Sequence, residues 1–206
     1  MKNLFWVSII FSVLFWSCND EEQSGNENNE IQLTEDLQIE DIKTENMRDA
    51  KLDVDYVAFL TQFKEVSLPY ELNPEQEDVF GKISVENQIK YLAEAEDLDK
   101  ADFEEMAEYT DFFFVSRPVQ SDLFNAVVYA RFEMGSTYYF LCTYDNDGKL
   151  ISNIDFAAYE LIGAGPQAGQ EYNTKGKIES DLKVTVTTDE ETISYQIIKN
   201  GKIDKL

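Results

Sequence analysis

The chain has 206 residues, with 17 Lys and Arg against 41 Asp and Glu, a net charge of −24 at pH 7 and no histidine. So acidic a surface repels phosphate backbones and anionic head groups, which excludes nucleic acid as a partner and excludes membrane attachment through a basic patch or basic helix. Without His, the commonest general base, the usual catalytic zinc ligands and every Ser-His-Asp or Cys-His arrangement are missing too.

Lys2 is followed by an apolar run from Leu4 to Trp16, then by Ser17 and Cys18. The run is shorter than the roughly 20 residues a spanning helix needs, so residues 1–17 read as a cleaved signal peptide. Phe15-Trp16-Ser17-Cys18 resembles the lipobox of bacterial lipoprotein signals, and the resemblance implies cleavage behind Ser17 and lipidation of Cys18. Residues 18–52 are expected to be an acidic tether, because Asn19-Asp20-Glu21-Glu22 and the polar mixture after it cannot bury enough apolar surface to fold alone. That tract is similar to the one behind the lipidated cysteine in surface lipoproteins of the Bacteroidetes type. The similarity implies an outer-membrane lipoprotein of the cell envelope, periplasm-facing or surface-exposed, whose membrane partner is reached through the lipid.

Residues 53–206 are expected to form a single α+β domain, with N-terminal helices followed by a curved antiparallel β-meander. Hydrophobic residues make up 43% of the chain, with 14 Phe and 11 Tyr, enough for one core in a stretch of this length. Val54, Val57, Leu60 and Phe63 recur at helical spacing behind Asp53 and Asp55, either of which can cap the start. A second helix is predicted over residues 85–95, with Ser84 as its N-cap and Val85, Ile89 and Leu92 on one face, and a third over residues 100–109. Strands follow over residues 111–115, broken at Arg117-Pro118, then 123–133, 137–144, 150–159, 172–178, 183–187 and 192–198. Gly135-Ser136 and Asp145-Asn146-Asp147-Gly148 are the turns between the middle strands. In the strand 137–144, Tyr138, Phe140, Cys142 and Tyr144 oppose Tyr139, Leu141 and Thr143, and both sets are largely apolar. Such a strand is central, with helices on one face and the sheet's own curl or a second sheet on the other. The helix pair, Leu68-Pro69-Tyr70 and the hairpin at residues 141–149 look like those of uncharacterised Bacteroidetes lipoproteins, a resemblance that implies no activity.

Few residues offer chemistry. Cys142 lies in an apolar strand without a partner cysteine and reads as a small buried hydrophobe. The Asp145–Gly148 turn fails the calcium-loop template, since Thr143 and Ile154 would stand where carboxylates belong. Gly163–Gly169 lacks the Gly-Lys-Ser/Thr ending of a phosphate loop and reads as a connection between strands. Glu133 and Asp155 are the best placed carboxylates, and Arg131, one of three arginines, shares a strand face with Tyr129 and Glu133. Tyr138, Tyr139, Tyr144, Tyr159 and Tyr172 form either core or a sugar-stacking platform. No catalytic group, metal ligand or cofactor is expected; Tyr129, Arg131 and Tyr159 are the candidate ligand-facing residues. The favoured function is a non-enzymatic module that binds a glycan, a peptide or an envelope protein, with a small carboxylate-dependent hydrolase as the alternative.

Overall fold

The computed structural model describes residues 53–74 and 81–206. The expected signal peptide, Cys18 and the acidic tether lie outside the described residues. Helix α1 (Val54–Leu60) starts where Asp53 Oδ1 accepts the N–H groups of Asp55 at 2.9 Å and Tyr56 at 3.4 Å, satisfying two donors the helix cannot. It stops short of Phe63, which stays buried in the following turn. Two short strands come next, β1 (Lys64–Glu65) and β2 (Tyr70–Leu72).

The single helix expected over residues 85–95 is α2 (Val85–Asn87), a π-helical turn (Gln88–Leu92) and α3 (Ala93–Glu96), ending at Asp97 in the left-handed region with φ 55°. Ser84 Oγ caps α2 by accepting from Asn87 N–H at 3.3 Å. The wider π turn puts Gln88, Tyr91 and Leu92 together on the buried side, and Gln88 Nε2 donates to the Ile83 carbonyl at 2.8 Å. Helix α4 (Lys100–Met106) opens with a reciprocal box between Asp99 and Asp102.

Eight strands complete the chain: β3 (Thr110–Gln120), β4 (Asn125–Glu133), β5 (Ser136–Tyr144), β6 (Leu150–Leu161), β7 (Glu171–Ile178), β8 (Lys183–Thr187), β9 (Thr192–Ile197) and β10 (Ile203–Lys205). The break expected at Arg117-Pro118 does not occur. Strand β3 runs through it, because its register with β4 slips between Ser116 and Val119 and leaves Pro118 without a cross-strand partner to which an N–H would be owed.

The α+β class is as expected, but the sheet is not a simple meander. Strands β3 to β10 follow one another antiparallel, whereas β1 lies parallel to β3 at one edge, pairing Lys64 with Ser116 and Glu65 with Arg117. Strand β6 pairs with β7 only from Ala158 to Leu161; further along β7 its place is taken by β2, which matches Tyr70 to Ile178 and Leu72 to Gly176. The sheet therefore divides at β7, and this geometry gives two cores. One lies between α1, the α2–α3 segment, α4 and one face of β3–β5, built on Tyr56, Phe59, Leu92, Phe103, Tyr129 and Tyr144. The other lies between the opposite face of β3–β6 and strands β2 and β7–β10, built on Leu72, Val128, Leu141, Phe156, Ile178 and Val184.

Gly176 marks the point where β7 crosses β6. A Cβ there would stand 2.5 Å from the Phe156 carbonyl oxygen and 2.6 Å from its ring, so only glycine permits the approach. Gly176→Ala should cost about 3 kcal/mol or more in urea unfolding, because backbone rather than a flexible side chain must give way. Gly163→Ala, where nothing lies within 4 Å, should change stability little.

Candidate functional site

The helix-side face of β4–β6 is set by register. Arg131 pairs with Tyr138 and Tyr138 with Ala158; one step along, Tyr129 pairs with Phe140 and Phe140 with Asp155. Helix α3 ends over this face, where Asn153 Nδ2 donates to the Ala95 carbonyl at 3.0 Å and ties the helix end to β6. The next residue, Glu96, then points into the protein with a side chain 1% exposed.

Three groups answer this buried carboxylate. Tyr129 donates its hydroxyl to Glu96 Oε1 at 2.5 Å, and Arg131 donates from one terminal nitrogen to Glu96 Oε2. The Arg131 Nε lies 3.3 Å from Glu133 Oε2, so a second carboxylate flanks the same guanidinium. The guanidinium carbon also sits 5.3 Å from the Tyr138 ring centre and 5.2 Å from that of Phe140, within cation–π range. Burial holds the Glu96 carboxyl above its ordinary pKa; Tyr129 and Arg131 pull it down without prevailing, and the Asp155 charge adds to the rise. Burial likewise pushes the Tyr129 hydroxyl well up, so it serves as a hydrogen-bond donor.

Beside this network the sheet face is concave. A cleft of about 400 Å³ is lined among others by Arg131, Tyr138, Asp155, Glu160 and Thr174, all on strands, and by Thr188 just past the end of β8. Strand-borne side chains hold a site more rigidly than loops do.

The expected ligand-facing residues are therefore split. Arg131 lines the cleft. Tyr129 does not, being fully buried beneath it with its hydroxyl on Glu96. Tyr159 pairs with Thr137, one residue out of step with the Tyr138–Ala158 pair, and so projects from the opposite face of the sheet. Of the carboxylates, Asp155 lines the cleft while Glu133 flanks Arg131.

The tyrosines do not form a continuous platform either. Tyr144 is buried and donates to the Tyr91 carbonyl at 2.7 Å, and Tyr139 packs into the second core. Tyr138 lines the cleft and the largely buried Tyr139 reaches its edge, while Tyr172, partly exposed opposite Glu160, is not among the residues that line it.

Glu96, Glu160 and Thr174 were missed. For Glu96 a signal existed: it follows Leu92 at helical spacing, an acid on the apolar stripe, masked by its acidic neighbours.

The other motifs have structural work. Asp145 Oδ1 accepts the N–H groups of Asp147 at 3.0 Å and Lys149 at 2.9 Å, and Gly148, at φ 81°, lies so close to Tyr56 that a Cβ would stand 2.9 Å from the ring. Cys142 is fully buried and its thiol is pushed far up by burial. The Gly163–Gly169 stretch joins β6 to β7 as an exposed loop. Among the described residues no three His, Cys, Asp or Glu side chains converge as a metal would require.

No family model matches the chain, and neither curated proteins nor solved structures yield a match.

Because Glu96 holds its proton more tightly when folded, its contribution to stability is fully present below the ordinary carboxylate pKa and is lost as pH rises through the raised value. The stability advantage of the wild type over Glu96→Gln should therefore shrink as pH rises from about 4 to about 7 in denaturant titrations. An advantage that grows over this interval would mean that Arg131 outweighs burial.

Proposed function

We propose that this chain is an envelope lipoprotein, anchored through Cys18, whose folded domain binds a ligand rather than transforms one. The ligand, a glycan or peptide fragment, occupies the cleft beside Arg131. The observation that carries this reading is the cleft itself: a concavity with an aromatic wall and convergent polar groups, in the usual size range of ligand sites and built on rigid strands.

The hydrolase alternative needs an acid and a base or nucleophile facing each other across the cleft. The two carboxylates that line it, Asp155 and Glu160, stand on one strand, β6, rather than across the cleft from each other, and Glu96 is covered by Tyr129 and Arg131 and does not line the cavity. Glu96 and Arg131 thus act as support for the binding wall. The acidic surface suits an anchor supplied by lipid, since no basic patch can substitute for it.

Two measurements test this reading. In amide NMR titrations with a panel of saccharides and short peptides, ligands should perturb Tyr138, Asp155, Ala158 and Thr174 together, and Tyr138→Ala should weaken binding about tenfold, as loss of a stacking aromatic does. Perturbations confined to other surfaces, or binding indifferent to Tyr138, would contradict it. For the anchor, the wild type should partition into detergent and resist release by high salt, whereas Cys18→Ser should leave an unlipidated precursor, since two acyl chains bind stably where a protein without them does not. A mature N-terminus other than Cys18 with no lipid mass would contradict the anchor.

A further inference from the structure

We propose that the cleft selects a protonated primary amine, carried by an amino sugar or by a lysine side chain, and so rejects the same ligand once its amine is acylated. This rests on reading the cleft as the binding surface. Arg131 is the one cation among the lining residues, and its charge is already met by Glu96 on one side and Glu133 on the other. Asp155 and Glu160 also line the cleft, and among the described residues neither forms an ion pair with a Lys or Arg. Once Arg131 is neutralised from within, the cavity is electronegative, and an anionic ligand would meet two uncompensated carboxylates.

The aromatic wall points the same way. Tyr138, half-buried on the cleft wall, already holds one cation, the Arg131 guanidinium, 5.3 Å from its ring centre, which shows that its aromatic ring suits positive charge. Phe140 is buried between Arg131 and Tyr129 and serves as the wall's base. An alkylammonium carries three donors and no acceptor. The cleft offers acceptors to match them in the Asp155 and Glu160 carboxylates and the hydroxyls of Thr174 and Thr188. A cavity of about 400 Å³ is of a size for a sugar unit or a lysine side chain rather than a bulky cofactor. The net charge of −24 adds long-range steering of cations toward the surface.

The test uses matched pairs that differ only in the charge on nitrogen. The trimer of glucosamine is compared with the trimer of N-acetylglucosamine, and Gly-Lys-Gly with the same peptide acetylated on the lysine, by calorimetry and amide NMR at low and high salt. In at least one pair the free amine should bind about tenfold or more tightly than its acetylated partner, and which pair shows this identifies the source of the amine. Asp155→Asn combined with Glu160→Gln should bring the ratio to about one while changing the melting temperature little, since among the described residues neither side chain makes a hydrogen bond or ion pair and Asp155 reaches Glu96 only through its charge. Acetylated forms that bind equally well at the cleft with the same dependence on Tyr138 would overturn the amine preference and leave the binding reading standing. A preference that persists in the double variant would overturn it as well, assigning the effect to the general acidity of the surface. Failure of all four probes to perturb the cleft would overturn both.

Discussion

The rest of the molecule depends on β4 and β5 being buried on both faces. Val127, Tyr129, Phe140, Cys142 and Tyr144 face the helices, while Ala126, Val128, Tyr139 and Leu141 face the second group of strands. Neither face can be left to water: each bears several fully buried side chains, each worth roughly 1.5 to 3 kcal/mol relative to exposure. A helix layer and a second strand layer are therefore both required. Splitting the sheet at β7 lets one continuous run of strands supply the second cover without another chain.

The cleft is a consequence of how the two covers end. The α2–α3 segment ends at Glu96 and Asp97 beside Arg131, and the face of β5 and β6 at Tyr138 and Ala158 opens into the cleft. The last residue of α3, Glu96, sends a carboxylate back into the protein, where it fixes the guanidinium that forms the cleft's inner wall. A buried ion pair of this kind adds little net stability, because desolvating both charges offsets their attraction. What it provides is position: one Arg rotamer held between two carboxylates and two aromatic rings.

Much of the fold was legible in the sequence because it follows from local rules. The alternation at residues 138–144, apolar on both faces, correctly marked a central strand, Ser84 was identifiable as a cap from its type and position, and Asp53 was one of two candidates beside Asp55. What stayed hidden depends on pairing at a distance. Nothing near Tyr70 says that β2 will replace β6 beside β7, and Pro118 reads as a break unless the register slip opposite it is known. The site was half legible for the same reason. Arg131 was identified as scarce and strand-borne, but telling that Tyr129 is buried beneath it and that Tyr159 faces away requires the register of β4–β6 and the position of Glu96, which lies far off in sequence.

Native-state hydrogen exchange tests the account at its foundation. If the doubly covered strands hold the molecule together, the amides of Val127 to Tyr129 and of Phe140 to Cys142 should exchange only through global unfolding, at one common slowest rate. Those in β8 and β9 should open earlier, since these strands are covered on one side. Equal or slower exchange in β8–β9 than in β4–β5 would contradict the account.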